Sequence, residues 1–517
     1  MPINGAKLKN PVALTELLKR GLKTKPDEEV IISLERSLTW RELDEASTRL
    51  AQNYLSLGLK PGDRIASLMP NRVPLYIHYL ACIKGGFVGV PLNYRYMAPE
   101  IDHALEVSDA SIIIVHYERM QDLVDSNYGD SLPLGKIIYA GEGERELTLE
   151  NLTCSHNESR ELILPDPNLP AFIFFTSGST GPAKGVTHTQ ESLKMMFASA
   201  AAAFEFSESD TLLPGSSISH LGGFMFSFAA ISSGSRVLVA GRIDPDEIIP
   251  LLREYKPTVM CMIPAALFRV IRANGARKED FSSLRLFRVG ADVVPLELEK
   301  EFEDLTGLVL DEGYGSSEMG LASLNPPSGQ IKPGSVGIPV PGFTFSLRDD
   351  DGLEVSVGTD GNLWVKTNSL MSGYWERPDA TVEVIVDQWF DTGDVLTADE
   401  DGYLHFRSRK KQIIVHDGSN ISPIEVEESL LEHEAVEFAG AVGVHDLMHG
   451  ENVRAFITIK EGEETPPIME LIKFSRERIG YKAPEDIVIL EEMPLNPTGK
   501  IDRVGLKRLA EEEHGHR

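Results

Sequence analysis

The organising feature of this chain is the segment 176–185, which reads T-S-G-S-T-G-P-A-K-G. Residues 170–175 before it are almost wholly apolar and predict a short buried strand that stops at this loop. Glycines let backbone N–H groups turn inward around an anion, the Ser and Thr hydroxyls add donors, and Lys184 adds a mobile positive charge. The loop therefore favours a phosphate-binding role over a flexible Ser/Gly linker, which has no reason to follow a fully apolar strand.

The spacing separates this loop from the phosphate loops of kinases and GTPases. Those loops read G-x-x-x-x-G-K-S/T and run straight into a helix. Here the two inner glycines are three residues apart, and the lysine is followed by glycine. We therefore expect a second short strand through Val186, and then a helix that begins at a capping box formed by Thr187 and Gln190.

Length, composition and charge limit the class of protein. At 517 residues the chain predicts two or more domains, and 42% apolar residues are enough to bury their cores. A formal net charge of −29 disfavours nucleic acid or an anionic membrane surface as the main partner, because both need basic patches. The three cysteines are far apart, so neither a zinc site nor a disulfide framework is predicted. This cysteine usage fits a reducing cytoplasm, and we expect no transmembrane helix, because no run reaches the roughly 18 apolar residues that one needs.

Alternating helix-period and strand-like runs predict an α/β fold. Before the loop, the pattern predicts strands at 64–69 and 111–116 and a helix at 74–84. After it, strands are predicted at 236–240, 258–263, 284–289 and 308–310. Beyond Gly334, short strands and tight turns predict a β-rich region. A small α+β domain is predicted to follow, with helices at 423–432 and 468–479, strands at 438–444, 453–460 and 486–490, and a solvated tail from Ala510.

Three later motifs carry groups suited to nucleotide chemistry. Residues 311–318, D-E-G-Y-G-S-S-E, offer a ring to stack on a purine, hydroxyls for phosphate and an acid for Mg²⁺. In W-F-D-T-G-D, Asp394 follows a glycine turn and can accept two hydrogen bonds from a ribose diol. In P-L-N-P-T-G-K-I-D-R, Lys500 is a mobile cation on a constrained loop. Taken singly, each motif is also explained by an ordinary turn or a solvated side chain.

Taken in order, these motifs resemble those of the acyl- and aryl-CoA synthetases, part of the adenylate-forming superfamily that includes luciferases and peptide-synthetase adenylation domains. The resemblance runs from the N-terminal turns to Lys500. It implies an α/β protein with a large N-terminal adenylation domain, residues 1–408, built of α/β subdomains plus a β-rich part. It also implies a small mobile C-terminal α+β domain, residues 409–517, that carries a catalytic lysine. The implied reaction converts a carboxylic acid and ATP into acyl-AMP and pyrophosphate, and then transfers the acyl group to CoA.

The resemblance also implies roles for individual residues. The implied catalytic residues are Lys500, Glu318, Thr176 and Lys184, with Glu318 also binding Mg²⁺. The implied nucleotide site comprises Thr176, Ser177, Gly178, Ser179, Thr180, Gly181, Lys184, Gly290, Ala291, Asp311, Glu312, Gly313, Tyr314, Gly315, Ser316, Ser317, Asp394, Arg409 and Lys500. Within it, Tyr314 serves adenine, Ser317 the α-phosphate, and Asp394 and Arg409 the ribose. The implied acyl pocket comprises His220, Gly222, Ala291, Gly315 and Met319, and the implied hinge and CoA tunnel comprise Lys411 and Gly418. We interpret His188 as structural.

Two alternatives stay open. The hinge segment departs from the family pattern at Ser408, Gln412 and Asp417, which bears on the thiol acceptor, so transfer to a separate carrier protein is one alternative. A catalytically silent sensor of nucleotide or acyl ligands is the other, and the full set of charged site residues argues against it. The sequence leaves the identity of the acid open. Glu312 in the E-G-Y-G form resembles the fatty-acyl ligases, and this resemblance implies a place in fatty acid metabolism. We expect a small-molecule acid, ATP and CoA as partners, and we allow for a homodimer.

Overall fold

The fold was analysed in a computed structural model of the chain. It describes residues 2–9, 11–128, 131–139, 147–154, 161–176, 183–290, 294, 296–416, 419–446, 450–496 and 500–514. The α-helices of these residues are α1 (Lys19–Thr24), α2 (Trp40–Ser56), α3 (Val73–Gly85), α4 (Ala98–Ser108), α5 (Met120–Val124), α6 (Leu149–Cys154), α7 (Gln190–Ala203), α8 (Leu221–Ser232), α9 (Pro245–Tyr255), α10 (Pro264–Ile271), α11 (Leu296–Thr306), α12 (Pro378–Val384), α13 (Pro423–Leu431), α14 (Ile468–Ile479) and α15 (Arg503–His514). Short 3-10 helices span Leu14–Glu16, Tyr117–Arg119, Lys278–Phe281, Lys410–Gln412 and Gly480–Lys482.

The strands follow the same chain order. They are β1 (Ile3–Asn4), β2 (Glu29–Ile32), β3 (Ser37–Thr39), β4 (Arg64–Leu68), β5 (Val88–Pro91), β6 (Ile112–His116), β7 (Lys136–Tyr139), β8 (Pro170–Thr176), β9 (Lys184–Thr189), β10 (Thr211–Gly215), β11 (Arg236–Leu238), β12 (Val259–Met262), β13 (Leu286–Gly290), β14 (Asp311–Ser316), β15 (Gly320–Leu324), β16 (Ile338–Pro339), β17 (Phe343–Arg348), β18 (Gly361–Thr367), β19 (Gly373–Tyr374), β20 (Ile385–Val386), β21 (Trp389–Ala398), β22 (Leu404–Arg409), β23 (Ile414–His416), β24 (Ser419–Ile421), β25 (Val436–Asp446), β26 (Gly450–Ile459) and β27 (Asp486–Ile489).

The first α/β sheet has the strand order β19-β9-β8-β5-β4-β6-β7. Strands β8, β5, β4, β6 and β7 run parallel, whereas β9 and β19 add antiparallel strands at one edge. Every residue of β6 is buried, as expected for a parallel strand covered on both faces. The β8–β9 hairpin sets Thr176 opposite Lys184. The candidate phosphate loop, 177–182, lies outside the described residues.

The second α/β sheet has the strand order β16-β15-β14-β13-β12-β10-β11-β2-β3. Strands β14 through β2 run parallel, and β15, β16 and β3 are antiparallel at the edges. Cys261, Arg288 and Asp311 are register partners across β12, β13 and β14, so their side chains share one face of the sheet. In open α/β sheets, ligands bind beyond the carboxyl ends of such parallel strands.

Two smaller sheets complete the fold. An antiparallel sheet, with the order β1-β17-β18-β21-β20 and with β22 beside β21, forms the predicted β-rich region. The C-terminal sheet has the order β24-β23-β26-β25, with β27 parallel to β26, and helices α13, α14 and α15 pack with it. These elements match the α+β pattern predicted after residue 408.

An aromatic cluster connects the first sheet to the helices α7 and α8. The Phe224 ring of α8 lies 4.7 Å from Phe172 of β8 and 5.6 Å from Phe197 of α7, measured between centroids. Phe228, one turn further along α8, is 4.7 Å from Phe224. All four rings are fully buried. Tilted and edge-on contacts of this kind add to the stabilisation from apolar burial, so the cluster fixes α8 against the strand that leads to the candidate loop.

The predicted helix start at Thr187 is wrong. Strand β9 continues to Thr189, because Thr187 and His188 pair with β8 and are buried there. Helix α7 instead begins at Gln190, and its capping box is formed by Thr189 and Ser192. Strand pairing therefore overrides a local capping pattern two residues upstream.

The strand predicted at 308–310 is also wrong. The strand begins at Asp311, because the pairing with β13 starts there, where Asp311 is the partner of Arg288. The tail was predicted to be solvated from Ala510, but α15 runs to His514, and Ala510 is fully buried. Arg454 Nη1 donates a hydrogen bond of 3.1 Å to the carbonyl of Ala510. Over the described residues, no helix has the length and apolar character needed to cross a membrane.

Candidate active site

A cleft of about 2550 Å³ collects most of the predicted site residues. The carboxyl ends of the parallel strands in both α/β sheets open into it, at Thr176 in the first sheet and at Gly290 in the second. The antiparallel sheet contributes Asp394, and the C-terminal residues contribute Lys500. The cleft therefore combines elements that are hundreds of residues apart in sequence.

At the first-sheet side of the cleft, Lys184 and Glu318 are connected through Tyr374. The Lys184 ammonium lies 4.3 Å from the centroid of the Tyr374 ring, within the range of a cation–π contact. The hydroxyl of the same tyrosine donates a hydrogen bond of 2.9 Å to Glu318 Oε1. Burial, and then the Glu318 carboxylate, raise the pKa of the Tyr374 phenol, which keeps it a donor. Tyr374 thus holds the two predicted phosphate-side residues in fixed positions.

Tyr374 was not predicted from the sequence. Its strand β19 pairs with β9, which sets Tyr374 opposite Val186, two residues beyond Lys184. The only local signal was the turn-like run S-G-Y-W-E-R, in which nothing indicates a partner.

Glu318 is the candidate Mg²⁺ ligand, and its surroundings fit that role. One carboxylate oxygen accepts the hydrogen bond from Tyr374, and among the described residues the other accepts none. Over the described residues, no group of three or more His, Cys, Asp or Glu side chains forms a metal site of its own. Mg²⁺ in nucleotide sites typically takes one or two carboxylates and completes its shell with phosphate oxygens and water. A single carboxylate is therefore sufficient when ATP supplies the other ligands.

The predicted adenine and ribose residues are in direct contact. The Tyr314 hydroxyl donates a hydrogen bond of 2.5 Å to Asp394 Oδ2, and Arg409 Nε lies 3.3 Å from Asp394 Oδ1. Asp394 and Arg409 are register partners on β21 and β22. Burial raises the pKa of Asp394, and the Arg409 charge opposes that shift. Asp394 does not simply follow a turn, as predicted, but lies inside the long strand β21, where Gly393 adopts a φ of 69°.

His188 contacts the turn after β14 that carries Ser317. Its Nε2 lies 2.8 Å from the carbonyl oxygen of Ser317, and its Nδ1 lies 3.3 Å from Ser192 Oγ. Burial lowers the pKa of His188 to about 4, so the ring is neutral at pH 7. These contacts agree with the structural interpretation of His188.

The predicted acyl-pocket residues divide into three groups. His220 precedes α8 and lines the cleft, where its Nε2 lies 3.2 Å from Asn93 Nδ2. Gly222 and Gly315 also line the cleft, and a Cβ added at Gly222 meets no atom within 4 Å. Met319, in contrast, is fully buried in the core and does not line the cleft, against its predicted position. Ala291 lies outside the described residues.

Lys500 reaches the cleft from the C-terminal residues. Its loop is closed by a bridge between Leu495 and Ile501, and the Asn496 N–H donates to the Lys500 carbonyl at 2.7 Å. Burial lowers the pKa of His220 to about 4, and the Lys500 charge adds to that shift. The same charge acts on the pKa of Asp394. Lys500 lines the same cleft as His220 on the acyl side and Asp394 on the ribose side.

The predicted hinge residue Lys411 lies in the 3-10 turn Lys410–Gln412, between β22 and β23. Gly418 lies outside the described residues. The remaining predicted nucleotide-site residues, at 311–317, form strand β14 and the turn after it. Asp311 is fully buried within β14, and the other residues of this segment line the cleft.

Two charged features of the cleft were not predicted: the buried Arg288, and the contact of Glu312, a predicted nucleotide-site residue, with Glu299. Arg288 lies in β13 and is only 4% exposed. Glu312 faces Glu299 of α11, and burial followed by that second carboxylate raises the pKa of Glu312 to about 8. The available signal for Arg288 was a charged residue inside an otherwise apolar strand run, L-F-R-V-G.

Comparisons with known proteins agree with this geometry. The family described as AMP-binding enzyme matches residues 18–375, and the AMP-binding enzyme C-terminal domain matches residues 425–500. A long-chain-fatty-acid–CoA ligase of Salmonella typhimurium is 30% identical over 534 residues, covering 96% of this chain and 94% of the relative. A feruloyl-CoA synthase of Amycolatopsis sp is 32% identical over 478 residues, covering 91% and 94%.

A solved benzoate CoA ligase from Burkholderia xenovorans LB400 superposes with a TM-score of 0.85 at 25% identity, covering 96% of this chain and all of the other. The matched family segments together contain Lys184, Glu318, Tyr374 and Lys500. The chain therefore belongs to the AMP-binding enzyme family and is an adenylate-forming acyl-CoA synthetase with ATP and CoA as substrates.

Proposed function

We propose that this chain makes acyl-CoA at the cleft in two half-reactions, with the predicted residues in the roles that follow. In the first, a carboxylate oxygen of the acid attacks the α-phosphorus of ATP. A P–O bond forms, the bond to the bridging oxygen breaks, and pyrophosphate leaves with that electron pair. In the second, the sulfur of CoA attacks the acyl carbonyl of acyl-AMP, and AMP leaves.

The nucleotide is bound by the Tyr314, Asp394 and Arg409 group. The Asp394 carboxylate accepts hydrogen bonds from the ribose hydroxyls. Arg409 Nε lies 3.3 Å from this buried carboxylate and offsets its charge. The Tyr314 ring stacks on adenine, with its hydroxyl already bonded to Asp394. These contacts orient ATP before the acid arrives, which lowers the entropic barrier to reaction.

The phosphates are bound by Thr176, Lys184, Glu318 and the loop 177–182. Lys184 supplies positive charge, and Tyr374 restrains both Lys184 and Glu318. Glu318 would hold Mg²⁺, which when bound neutralises phosphate charge and so reduces the repulsion between two anions. Ser317 is held through its carbonyl by His188 and presents its hydroxyl to the α-phosphate.

Lys500 is the cation at the point where carboxylate and α-phosphate meet. The observation that carries the proposal is that Lys500 lines the same cleft as His220 on the acyl side and Asp394 on the ribose side. A fixed charge aimed at the developing negative charge is the largest single source of rate enhancement in many enzymes. We assign Lys500 to the first half-reaction. The segment 409–517 then turns about Lys411 before the second.

The two relatives are named for a long-chain fatty acid and for ferulic acid, so both aliphatic and aryl acids fit the family. We further infer a cytoplasmic enzyme, because all three cysteines are free thiols. The homodimer and the division at residues 408 and 409 stay predictions.

A turnover assay with separate half-reactions tests the proposal. Pyrophosphate release is measured with short, medium, long and aromatic acids, with and without CoA, and acyl-CoA is identified by mass spectrometry. We expect CoA to accelerate pyrophosphate release and acyl-CoA to accumulate. Acyl-AMP that accumulates unchanged in the presence of CoA would favour a carrier-protein acceptor. No acid-dependent pyrophosphate release with any acid would favour the sensor alternative.

A further inference from the structure

Arg288 is an arginine buried in strand β13. It is only 4% exposed, and among the described residues it takes part in no hydrogen bond and no ion pair. Its Nη1 is a fully buried donor with no acceptor. Burial lowers the pKa of the guanidinium below its ordinary value, which shows how unfavourable these surroundings are for the charge. Arginines in protein interiors are normally paired, so an unpartnered one needs an explanation.

The guanidinium occupies a defined place at the cleft. Arg288 lies beside Cys261 and Asp311 on one face of the second sheet, and it lines the cleft. A Cβ built on Gly313 would lie 1.2 Å from Arg288 Nη2, so the guanidinium fills the space above that glycine. Gly313 is nearer the carboxyl end of β14 than Asp311, and the arginine therefore extends toward the end of the strands where ligands bind.

The guanidinium has both an aromatic and an acidic neighbour. Phe204 lies 5.6 Å from its central carbon, and Met225, Phe226 and Leu321 are other apolar residues that line the cleft. Asp311 is fully buried without forming an ion pair to Arg288. One oxygen of Asp311 accepts a 3.1 Å hydrogen bond from Asn325, and the other has no partner. This carboxyl group offsets part of the Arg288 charge but leaves its N–H donors unused.

We propose that Arg288 recognises the substrate acid, and that this acid carries a neutral oxygen acceptor, such as a hydroxyl, ether or carbonyl, at a position remote from its reacting carboxylate. The inference rests on the proposed function, since it assumes an acid in this cleft. An acceptor oxygen completes the hydrogen bonding of the guanidinium, whereas a purely hydrocarbon chain leaves the buried donor unpaired. A site built to bond such a group discriminates strongly against analogues that lack it. A neutral acceptor is preferred to a second carboxylate because Asp311 already supplies negative charge beside the arginine.

Matched acids provide the test. Cinnamic acid is compared with 4-hydroxycinnamic acid, and octanoic acid with 8-hydroxyoctanoic and octanedioic acids. For each, kcat/KM is measured by pyrophosphate release in the wild type and in Arg288→Met and Arg288→Lys. Met keeps the length and removes the donors, whereas Lys keeps a charge. Arg272→Met is the control, since that exposed arginine is paired with Glu301 and lies apart from the proposed site.

We expect the wild type to prefer a hydroxylated acid to its parent by about tenfold or more in at least one pair. Arg288→Met should abolish that preference, Arg288→Lys should keep part of it, and Arg272→Met should keep all of it. The KM for ATP should be unchanged in every variant. The proposal would be overturned if the wild type prefers the unsubstituted acid in both pairs. It would also be overturned if Arg288→Met lowers kcat/KM equally for the hydroxylated and the parent acid. A preference for octanedioic acid would overturn the assignment of a neutral acceptor.

The test separates this inference from the proposed function. If pyrophosphate is released but no acyl-CoA forms, the proposed acceptor is wrong, and the preference is still scored from pyrophosphate. If no acid turns over, the same pairs are compared by calorimetric binding in the presence of Mg·ATP. Equal binding of the hydroxylated and parent acids then contradicts a recognition role for Arg288. If Arg288→Met does not fold, judged by circular dichroism, Arg288→Lys decides the result.

Discussion

The hydroxyl of Tyr374 donates a hydrogen bond of 2.9 Å to Glu318 Oε1 while the ring of the same residue lies against the Lys184 ammonium. Tyr374→Phe keeps the ring and removes only the hydrogen bond. Because a hydrogen bond to a charged group contributes about 1.5 kcal/mol or more, we expect about a tenfold loss in the rate of pyrophosphate release. The KM for ATP should change less than kcat, since the ring still covers Lys184.

The control for this substitution is Tyr117→Phe, because Tyr117 is exposed and does not line the cleft. Tyr374→Leu, which also removes the ring, should be worse than Tyr374→Phe and should raise the KM for ATP. Equal activity of Tyr374→Phe and the wild type would show that Glu318 needs no support from this hydroxyl.

Lys500→Ala tests the assignment of the cation. If the ammonium stabilises charge only while carboxylate and α-phosphate join, the first half-reaction should lose about 10²–10³ in rate, the usual cost of one preorganised donor. Thioester formation from supplied acyl-AMP and CoA should stay close to the wild-type rate. The two steps are measured separately, by pyrophosphate release and by acyl-CoA formation. Similar losses in both would instead indicate a structural role.

Lys411→Pro tests the hinge. Proline fixes φ near −65°, so a residue that must change its dihedral angles between two conformations can then serve only one of them. We expect one half-reaction to be retained and the other to be reduced by at least about tenfold, a barrier increase of about 1.4 kcal/mol. Lys410→Pro is unsuitable as a control because Lys410 pairs with Asp350 at 2.7 Å. A folded Lys411→Pro variant that loses both steps equally would move the hinge elsewhere.

The buried side chain of His78 makes the free energy of unfolding depend on pH. It is completely buried, its Nδ1 lies 2.9 Å from the Tyr54 hydroxyl, and burial lowers its pKa to about 3. The His78 side chain takes up a proton near pH 6.5 in the unfolded chain but not in the folded one. Its contribution to the free energy of unfolding is therefore complete above pH 6.5 and is lost as the pH falls toward 3. The slope is about 1.4 kcal/mol per pH unit for one proton.

His78→Gln should therefore reduce the slope of unfolding free energy between pH 6 and pH 5 by about one proton, or roughly 1.4 kcal/mol per unit. Urea denaturation at the two values measures it. His445→Gln is the matched control, because His445 is exposed. An unchanged slope in His78→Gln would mean that the buried ring is already protonated in the folded protein.

Local pattern was enough to predict much of this fold. The apolar run before the loop forms β8, and the α/β alternation and the C-terminal helix Ile468–Ile479 follow the predicted pattern. Prediction failed where pairing partners decide the outcome. Thr187 has the local features of a helix cap but is paired with β8, and Ala510 lies in a charged tail but packs against residues that come much earlier in the chain.

The site divides in the same way. Tyr314 and Asp394 were named through the family resemblance, although no local rule connects residues so far apart in sequence. Tyr374 and Arg288 were missed, because their significance depends on what the fold brings beside them: a carboxylate in one case and an open cleft without a partner in the other. A charged residue in a buried strand is the one sequence signal that could have indicated Arg288.

The pairing of β1 with β17 has a consequence for how the chain is made. Asn4 is the register partner of Thr344, and the side chains of these residues, 340 positions apart, are joined by a hydrogen bond of 3.0 Å. A ribosome must therefore complete well over half of the polypeptide before the first strand can find its place. Contacts of such long range are slow to form, and unpaired strand edges invite association in the meantime. During synthesis, strand β1 therefore stays unpaired until β17 has been made, and in this interval the chain is most exposed to association and most in need of chaperones.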